Sequence, residues 1–306
     1  MLYTITEAEN GMLLREYLRK TVGVSAALLT RLKKQERGIL LNGERVTVRA
    51  VLHTGDSVEL AIEDTQADEN PYVAAVARSL TIVHEEESFL VVDKPPDMVT
   101  HTSHGHREDS LANALCAYYH ERGISFVLRA VNRLDRETGG LVLVARNQLA
   151  AHRLSRALQS GEVHKEYIAI VSGEMYGEGE IRGYVTRCGD SIITRRTCES
   201  DEVGAEYAHT VYRVLYSGER CSVVMAKPIT GRTHQLRVHF ASLGHPIIGD
   251  SLYGVQCEQM PRQALQAVGL SFPHPFTGVR MSFRVALPQD MQSYLLGEGI
   301  SPSLFE

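Results

Sequence analysis

Apolar positions change their period several times along this chain, and each change marks an element. Leu13, Leu14, Tyr17 and Leu18 recur at helical spacing and predict a short first helix. Ser25 can cap a second helix that carries Leu28, Leu29 and Leu32. The apolar run 39–41 then meets Asn42-Gly43, a dipeptide that favours a tight hairpin, with 46–48 as the return strand. A turn at Thr54-Gly55-Asp56 leads into a closing strand over 57–62. Together these read as a small α/β unit over residues 1–64.

Residues 63–70 (EDTQADEN) are polar and acidic and run into Pro71, so 65–79 reads as a linker. Beyond it, strand-like runs occupy 80–83, 89–92, 140–145, 167–171, 221–226 and 280–287. Helix-like runs occupy 111–119 and 149–158. The two kinds do not alternate as in a doubly wound sheet, so 80–306 is predicted as one α+β domain.

Composition narrows the class. The 306 residues are 43% hydrophobic and 23% charged, as in an ordinary globular protein. No basic leader with a long apolar stretch opens the chain, so no secretory signal is expected, and no apolar run is long enough for a bilayer. The five cysteines are odd in number and form no CxxC pair, which fits reduced thiols in the cytosol and no zinc site. A net charge of −5 speaks against bulk affinity for nucleic acid. Its distribution changes that picture. Between positions 10 and 50, Arg15, Arg19, Lys20, Arg31, Lys33, Lys34, Arg37, Arg45 and Arg49 face only Glu16, Glu36 and Glu44. Such a local patch suits an RNA-docking appendage, although a solvated helix face has the same look.

Three stretches carry candidate chemistry. In 131–140 (VNRLDRETGG), Asp135 stands between two guanidinium groups, and Arg133 and Asp135 share a face if the segment is extended. A surface salt-bridge loop before a core strand would read the same way. In 228–254, Arg232, His234, Gln235 and Arg237 crowd together, a density suited to phosphate, ribose and base edges. His234 and His239 are five apart, so the HExxH metal spacing is absent. Asp250, in a glycine-rich turn, reads as an Asx-turn residue. In 164–173 (HKEYIAIVSG), Tyr167 leads a β run and is of interest only beside a base-sized pocket.

The stretches resemble, in order, the motifs of the RluA-like pseudouridine synthases. NRLDRETGGLVLVARN resembles HRLDRDTSGLLLLAK, HKEYIAIVSG resembles KxYxAxVxG, and PITGRTHQLRVHFASLGHPIIGDSLYG resembles TGRTHQIRVH followed by GHPIxGDxxYG. Val92-Asp93-Lys94-Pro95-Pro96 is similar to the early KPxG motif, and residues 272–278 match near the end. The likeness covers about 81–290, and 12–62 look like the small RNA-binding domain named after a ribosomal small-subunit protein.

The resemblance implies a pseudouridine synthase fold, with a mixed, largely antiparallel central sheet flanked by helices. It implies an isomerase that detaches uracil at C1′, turns it and rejoins it through C5, with no metal and no cofactor. Asp135 matches the catalytic aspartate, Tyr167 the tyrosine that packs on the base, and Arg237 the arginine that pairs with the aspartate. Arg133, Arg232, His234 and Gln235 are the expected RNA contacts. The implied partner is RNA, ribosomal first and transfer RNA second, met by a cytoplasmic monomer with no membrane attachment. Asn132 departs from the usual His, Gly139 from Ser, and Gln266 from a late His. A carboxylate beside C1′ can attack it, stabilise positive charge there, or remove the 2′ proton. Each act needs the ionised form, which a guanidinium partner favours. Two other classes remain open, a noncatalytic RNA-binding protein and a carboxylate-based glycoside hydrolase. The hydrolase would need a second placed acid, for which Glu137 and Asp250 are nominal choices.

Overall fold

Asn42 and Gly43 both take positive φ (53° and 82°), as the turn of a two-residue hairpin requires. In this computed structural model, which describes residues 1–305 apart from 104, 190, 192, 193 and 255, that turn joins β2 (Ile39–Leu41) to β3 (Glu44–Arg45). With β1 (Leu2–Thr4) and β4 (Ser57–Leu60) they form an antiparallel sheet ordered β1-β4-β2-β3. The return strand expected at 46–48 is instead the two residues before it. The chain leaves the hairpin there to meet α1 (Leu14–Glu16), whose first N–H groups lack partners within the helix. Arg15 N–H donates to Val48 O at 2.9 Å and Leu14 N–H to Ala50 O at 2.9 Å. The first helix runs on as a π turn, Tyr17–Thr21, and α2 (Ala26–Lys34) starts where Ser25 accepts from Leu28 N–H at 3.1 Å.

The second sheet has ten strands. They are β5 (Thr81–Glu85), β6 (Phe89–Lys94), β7 (Gly139–Ala145), β8 (His164–Ser172), β9 (Glu178–Arg187), β10 (Arg195–Cys198), β11 (Glu206–Ser217), β12 (Cys221–Pro228), β13 (Leu265–Pro273) and β14 (Arg280–Arg284). The order is β10-β9-β11-β12-β8-β13-β7-β6-β5, with β14 also on β13. The β13–β7 pair is parallel and the rest are antiparallel, which makes the sheet mixed and largely antiparallel.

The central strands are buried on both faces, so they read as unbroken apolar runs. Leu90, Val92, Val142 and Val144 point to one core, and Phe89, Val91, Leu141 and Leu143 to the other. The first core is covered by α3 (Leu111–His120), α5 (Gln235–Ser242) and α6 (Gln289–Gly297), and the second by α4 (Gln148–Gln159). A third core fills the N-terminal unit, and Leu149 of α4 is buried within it. The acidic stretch 63–70, which leads into the predicted linker, is tied down on both sides. Asp68 accepts from Arg31 at 2.9 Å, and Asp64 takes a two-point contact from Arg129 at 2.6 and 2.7 Å. Among the described residues no helix is long and apolar enough to cross a membrane.

Candidate active site

The loop that presents Asp135 is stapled to its surroundings at nearly every residue. Val131 N–H donates to Leu143 O at 2.8 Å. The Asn132 amide then imitates a peptide, donating to Leu141 O at 3.1 Å and accepting from Leu143 N–H at 2.8 Å. Leu134 exchanges two 3.2 Å hydrogen bonds with the Thr100 hydroxyl. Lys94, fully buried, donates to Pro95 O, Met98 O and Arg136 O at 2.8, 2.7 and 3.2 Å. Burial pulls its amine down to about 7, against the opposing pull of Asp135 and Glu137. The loop closes with Thr138 N–H on Asp135 O at 3.1 Å and enters β7 through Gly140. A side chain at Gly140 is excluded, since its φ is 115° and a Cβ would stand 2.2 Å from Ala267 O.

The facing wall comes from the loop between β12 and α5. Gln235 is its internal staple. Its oxygen accepts from Thr230 Oγ1 at 2.6 Å and Arg232 N–H at 3.0 Å, and its nitrogen donates to His209 O at 2.9 Å and Thr210 Oγ1 at 3.0 Å. His234 precedes α5 in the left-handed region (φ 57°), rare for a non-glycine residue. That turn sets its Nδ1 2.8 Å from the Tyr253 hydroxyl and its Nε2 3.9 Å from Asp135 Oδ2. Arg237, in the first turn of α5, forks onto Asp250 at 2.6 and 2.7 Å. Its third nitrogen reaches Asp135 Oδ2 at 3.5 Å. Asp250 Oδ1 also accepts from Leu252 N–H at 2.9 Å and Tyr253 N–H at 3.1 Å, so the Asx-turn role and an ion pair coexist.

Tyr167 on β8 forms the floor. Burial pushes its hydroxyl pKa up, and the Asp135 charge adds to the effect. Asp135, Arg133, Tyr167, Arg232, His234, Gln235 and Arg237 all line one solvent-open cavity of about 570 Å³. They face it differently. Arg133 is exposed and makes no ion pair among the described residues, while Arg232 is turned to Glu206 Oε1 (3.0 Å) and Tyr207 O (2.9 Å). Gln235 has its polar atoms engaged inside the protein. Burial holds the His234 imidazole below its ordinary value, and Asp135 works against that. Among the described residues no group of three or more His, Cys, Asp or Glu could hold a metal ion.

A family model described as RNA pseudouridylate synthase matches residues 88–242. An uncharacterized RNA pseudouridine synthase of Bacillus subtilis, YjbO, is 38% identical over 288 residues, spanning 94% of this chain and 99% of that one. The chain belongs to the RNA pseudouridine synthase family. It is an RluA-like member and therefore an isomerase acting on RNA. The ribosomal large subunit pseudouridine synthase D of Pseudomonas aeruginosa is 35% identical over 268 residues, 82% of this chain and 81% of that one. Among solved structures, human RNA pseudouridylate synthase domain containing 4 shares the fold, with a TM-score of 0.57, 23% identity, and 70% and 91% of the two chains covered.

Two of this synthase's departures from the family pattern touch each other. The Gln266 side chain is buried, with its amide nitrogen 3.3 Å from Gly139 O and its oxygen 3.2 Å from Gly140 N. A Cβ on Gly139 would stand 2.6 Å from that amide. Sequence reasoning passed over Lys94 and Lys165 as site residues and gave Asp250 a turn role, or a nominal acid's place in a hydrolase, but not the pairing with Arg237. A signal for Lys165 was available, because it lies two residues before Tyr167 on one strand and so shares its face.

Proposed function

We propose that this chain converts a uridine in structured RNA to pseudouridine, with the Asp135 carboxylate acting at the sugar of an extruded nucleotide. The carrying observation is that Asp135, Arg237 and Tyr167 share one cavity. The C1′–N1 bond breaks and its electron pair leaves with uracil, so C1′ becomes electron-poor beside the carboxylate. After the base turns, C5 bonds to C1′, the C5 hydrogen passes to water and N1 gains a proton. Arg237 keeps the carboxylate oriented, and Tyr167 offers the base an apolar face, worth about 1–3 kcal/mol per stacked base. The nucleotide has to leave its stack before it can enter. Arg133 at the rim and, at longer reach, Arg232 and His234 are positioned for backbone phosphates. Gln235 shapes the loop that carries them.

Large-subunit ribosomal RNA is the proposed substrate, supported by the name of the Pseudomonas relative, with transfer RNA the second to test. Residues 1–64 are read as an RNA-docking domain and 80–306 as the catalytic one. Work on that RNA implies a cytoplasmic enzyme, and a cavity lined within one chain lets it act as a monomer. The test is Asp135→Asn, which keeps shape and removes charge. The variant should fold, bind RNA and release no tritium from [5-³H]uridine RNA, whereas the parent releases it. Appreciable release by the variant would remove Asp135 from its role.

A further inference from the structure

We propose that Lys165 holds the uracil as it detaches, its ammonium donating a hydrogen bond to a ring carbonyl oxygen while the base carries negative charge. This rests on the isomerase reading above. Lys165 and Tyr167 are two apart on β8, so both side chains face the cavity, and both line it. Glu166 between them faces the other way, to Lys227 at 2.6 Å and Arg284 at 3.2 Å. The Lys165 amine lies under the backbone of the 228–235 loop, where a Cβ on Gly231 would stand 3.7 Å from Nζ.

The other cations of the cavity are occupied or peripheral. Arg237 is neutralised by Asp250, Arg232 by Glu206, and Arg133 stands exposed at the rim. Lys165 is set back in the wall, with no hydrogen bond or ion pair from its amine among the described residues. Burial holds that amine below its ordinary value, the sign of a charge that has lost water without gaining a counter-ion. A departing anion supplies one. When C1′–N1 breaks, its electron pair spreads over N1, O2 and O4, and a donor aimed at O2 or O4 is stronger there than toward the neutral ground state. That difference accelerates the step. No proton is transferred by Lys165. The C5 hydrogen still goes to water and N1 still takes its proton from water.

The test uses the full chain and an unmodified large-subunit ribosomal RNA transcript, made once with [5-³H]uridine and once with 5-fluorouridine. Fluorine makes uracil a weaker base and a better leaving group, so its departure needs less help from a cation. Lys165→Met should fold by circular dichroism and bind RNA within about threefold, but release tritium about a hundredfold more slowly, as when one preorganised donor is lost. The defect on fluorinated RNA, read as loss of parent nucleoside after digestion, should be about tenfold smaller. Should Lys165→Met not fold, Lys165→Gln takes the same two substrates under the same criteria. Parental speed, equal defects on the two RNAs, or a loss confined to affinity would each overturn the proposal. The last is what a phosphate contact gives. Failure of the isomerase reading itself looks different, because the parent then releases no tritium. If Lys165 alone is misassigned, the parent turns over, Asp135→Asn does not, and Lys165→Met keeps pace.

Discussion

Arg237 turns the fork of its guanidinium to Asp250, at 2.6 and 2.7 Å, and reaches Asp135 through one nitrogen at 3.5 Å. The carboxylate that fixes the arginine is therefore not the one at the cavity. Asp250 is fully buried and Arg237 nearly so; burial works against the guanidinium's charge, and Asp250 together with Asp135 outweighs it and keeps the group charged. Asp250→Ala leaves that charge without its main partner, a loss of about 3–5 kcal/mol. Asp250→Asn still accepts from Leu252 and Tyr253 and should fold, yet its turnover should drop about a hundredfold through misaimed Arg237. Urea unfolding and tritium release read the two effects. Parental stability in the alanine variant would mean that Arg237 is held by something else.

Gly139 and Gln266 form a second couple. The buried Gln266 amide fills the space that a Gly139 side chain would need, and Lys94 O, 3.3 Å from that Cβ position, closes the other side. Gly139→Ser alone must expel the amide from its contacts with the 139–140 backbone, which should cost about 1–3 kcal/mol. With Gln266→His as well, the amide that meets the new side chain is gone and the double variant should regain much of the loss. Groups in contact typically couple by about 0.5–3 kcal/mol in such a cycle. Simple additivity of the two single changes in urea denaturation would show that the departures arose independently.

His239 supplies a pH signature. It is 1% exposed, and its Nδ1 lies 2.9 Å from Thr210 Oγ1. Burial, helped by His209, pulls its pKa to about 4. In the unfolded chain the group titrates near its ordinary value of 6.5. Between those values the unfolded state binds the extra proton, so acid favours unfolding. The contribution of neutral His239 is complete above 6.5 and lost as pH falls toward 4, at a limiting slope of about 1.4 kcal/mol per pH unit. Other histidines held low contribute slopes of their own, so the difference between parent and His239→Gln is the quantity to follow. That difference should narrow steadily from pH 7 to pH 4.5. A constant gap would place the His239 pKa at its ordinary value.

What could be read from sequence followed from how local the determining contacts are. β6 and β7 are legible because both faces of each strand are buried, and Asp135 because its motif is contiguous. β9 and β11 escaped notice because they lie toward the sheet edge with half-exposed faces, where Gly, Arg and Tyr replace a clean alternation. The full role of Asp250 was hidden because its arginine lies 13 residues away, on α5, beyond the reach of a local motif. Lys94 was hidden for a like reason. Its partners are main-chain carbonyls, one of them 42 residues off, and carbonyls leave no mark on a sequence.

The N-terminal unit poses the last question, whether its basic face docks RNA. Arg15, Arg19, Lys20 and Lys33 line a shallow groove there. Lys20 is paired with Glu16 at 3.1 Å and Arg19 donates to Val24 O at 2.8 Å, while Arg15 and Lys33 are exposed with no side-chain ion pair among the described residues. Neutralising those two together, Arg15→Gln with Lys33→Gln, touches neither the core nor the cavity. If both meet phosphates, the affinity for RNA should fall, and the slope of log K against log salt should flatten by about 0.7–0.9 for each phosphate that is no longer neutralised. Turnover at saturating RNA should stay at the parental rate, since the cavity is intact. An unchanged slope would separate this face from the RNA and leave recognition to the catalytic domain. A lowered turnover at saturation would instead tie the groove to the chemical step.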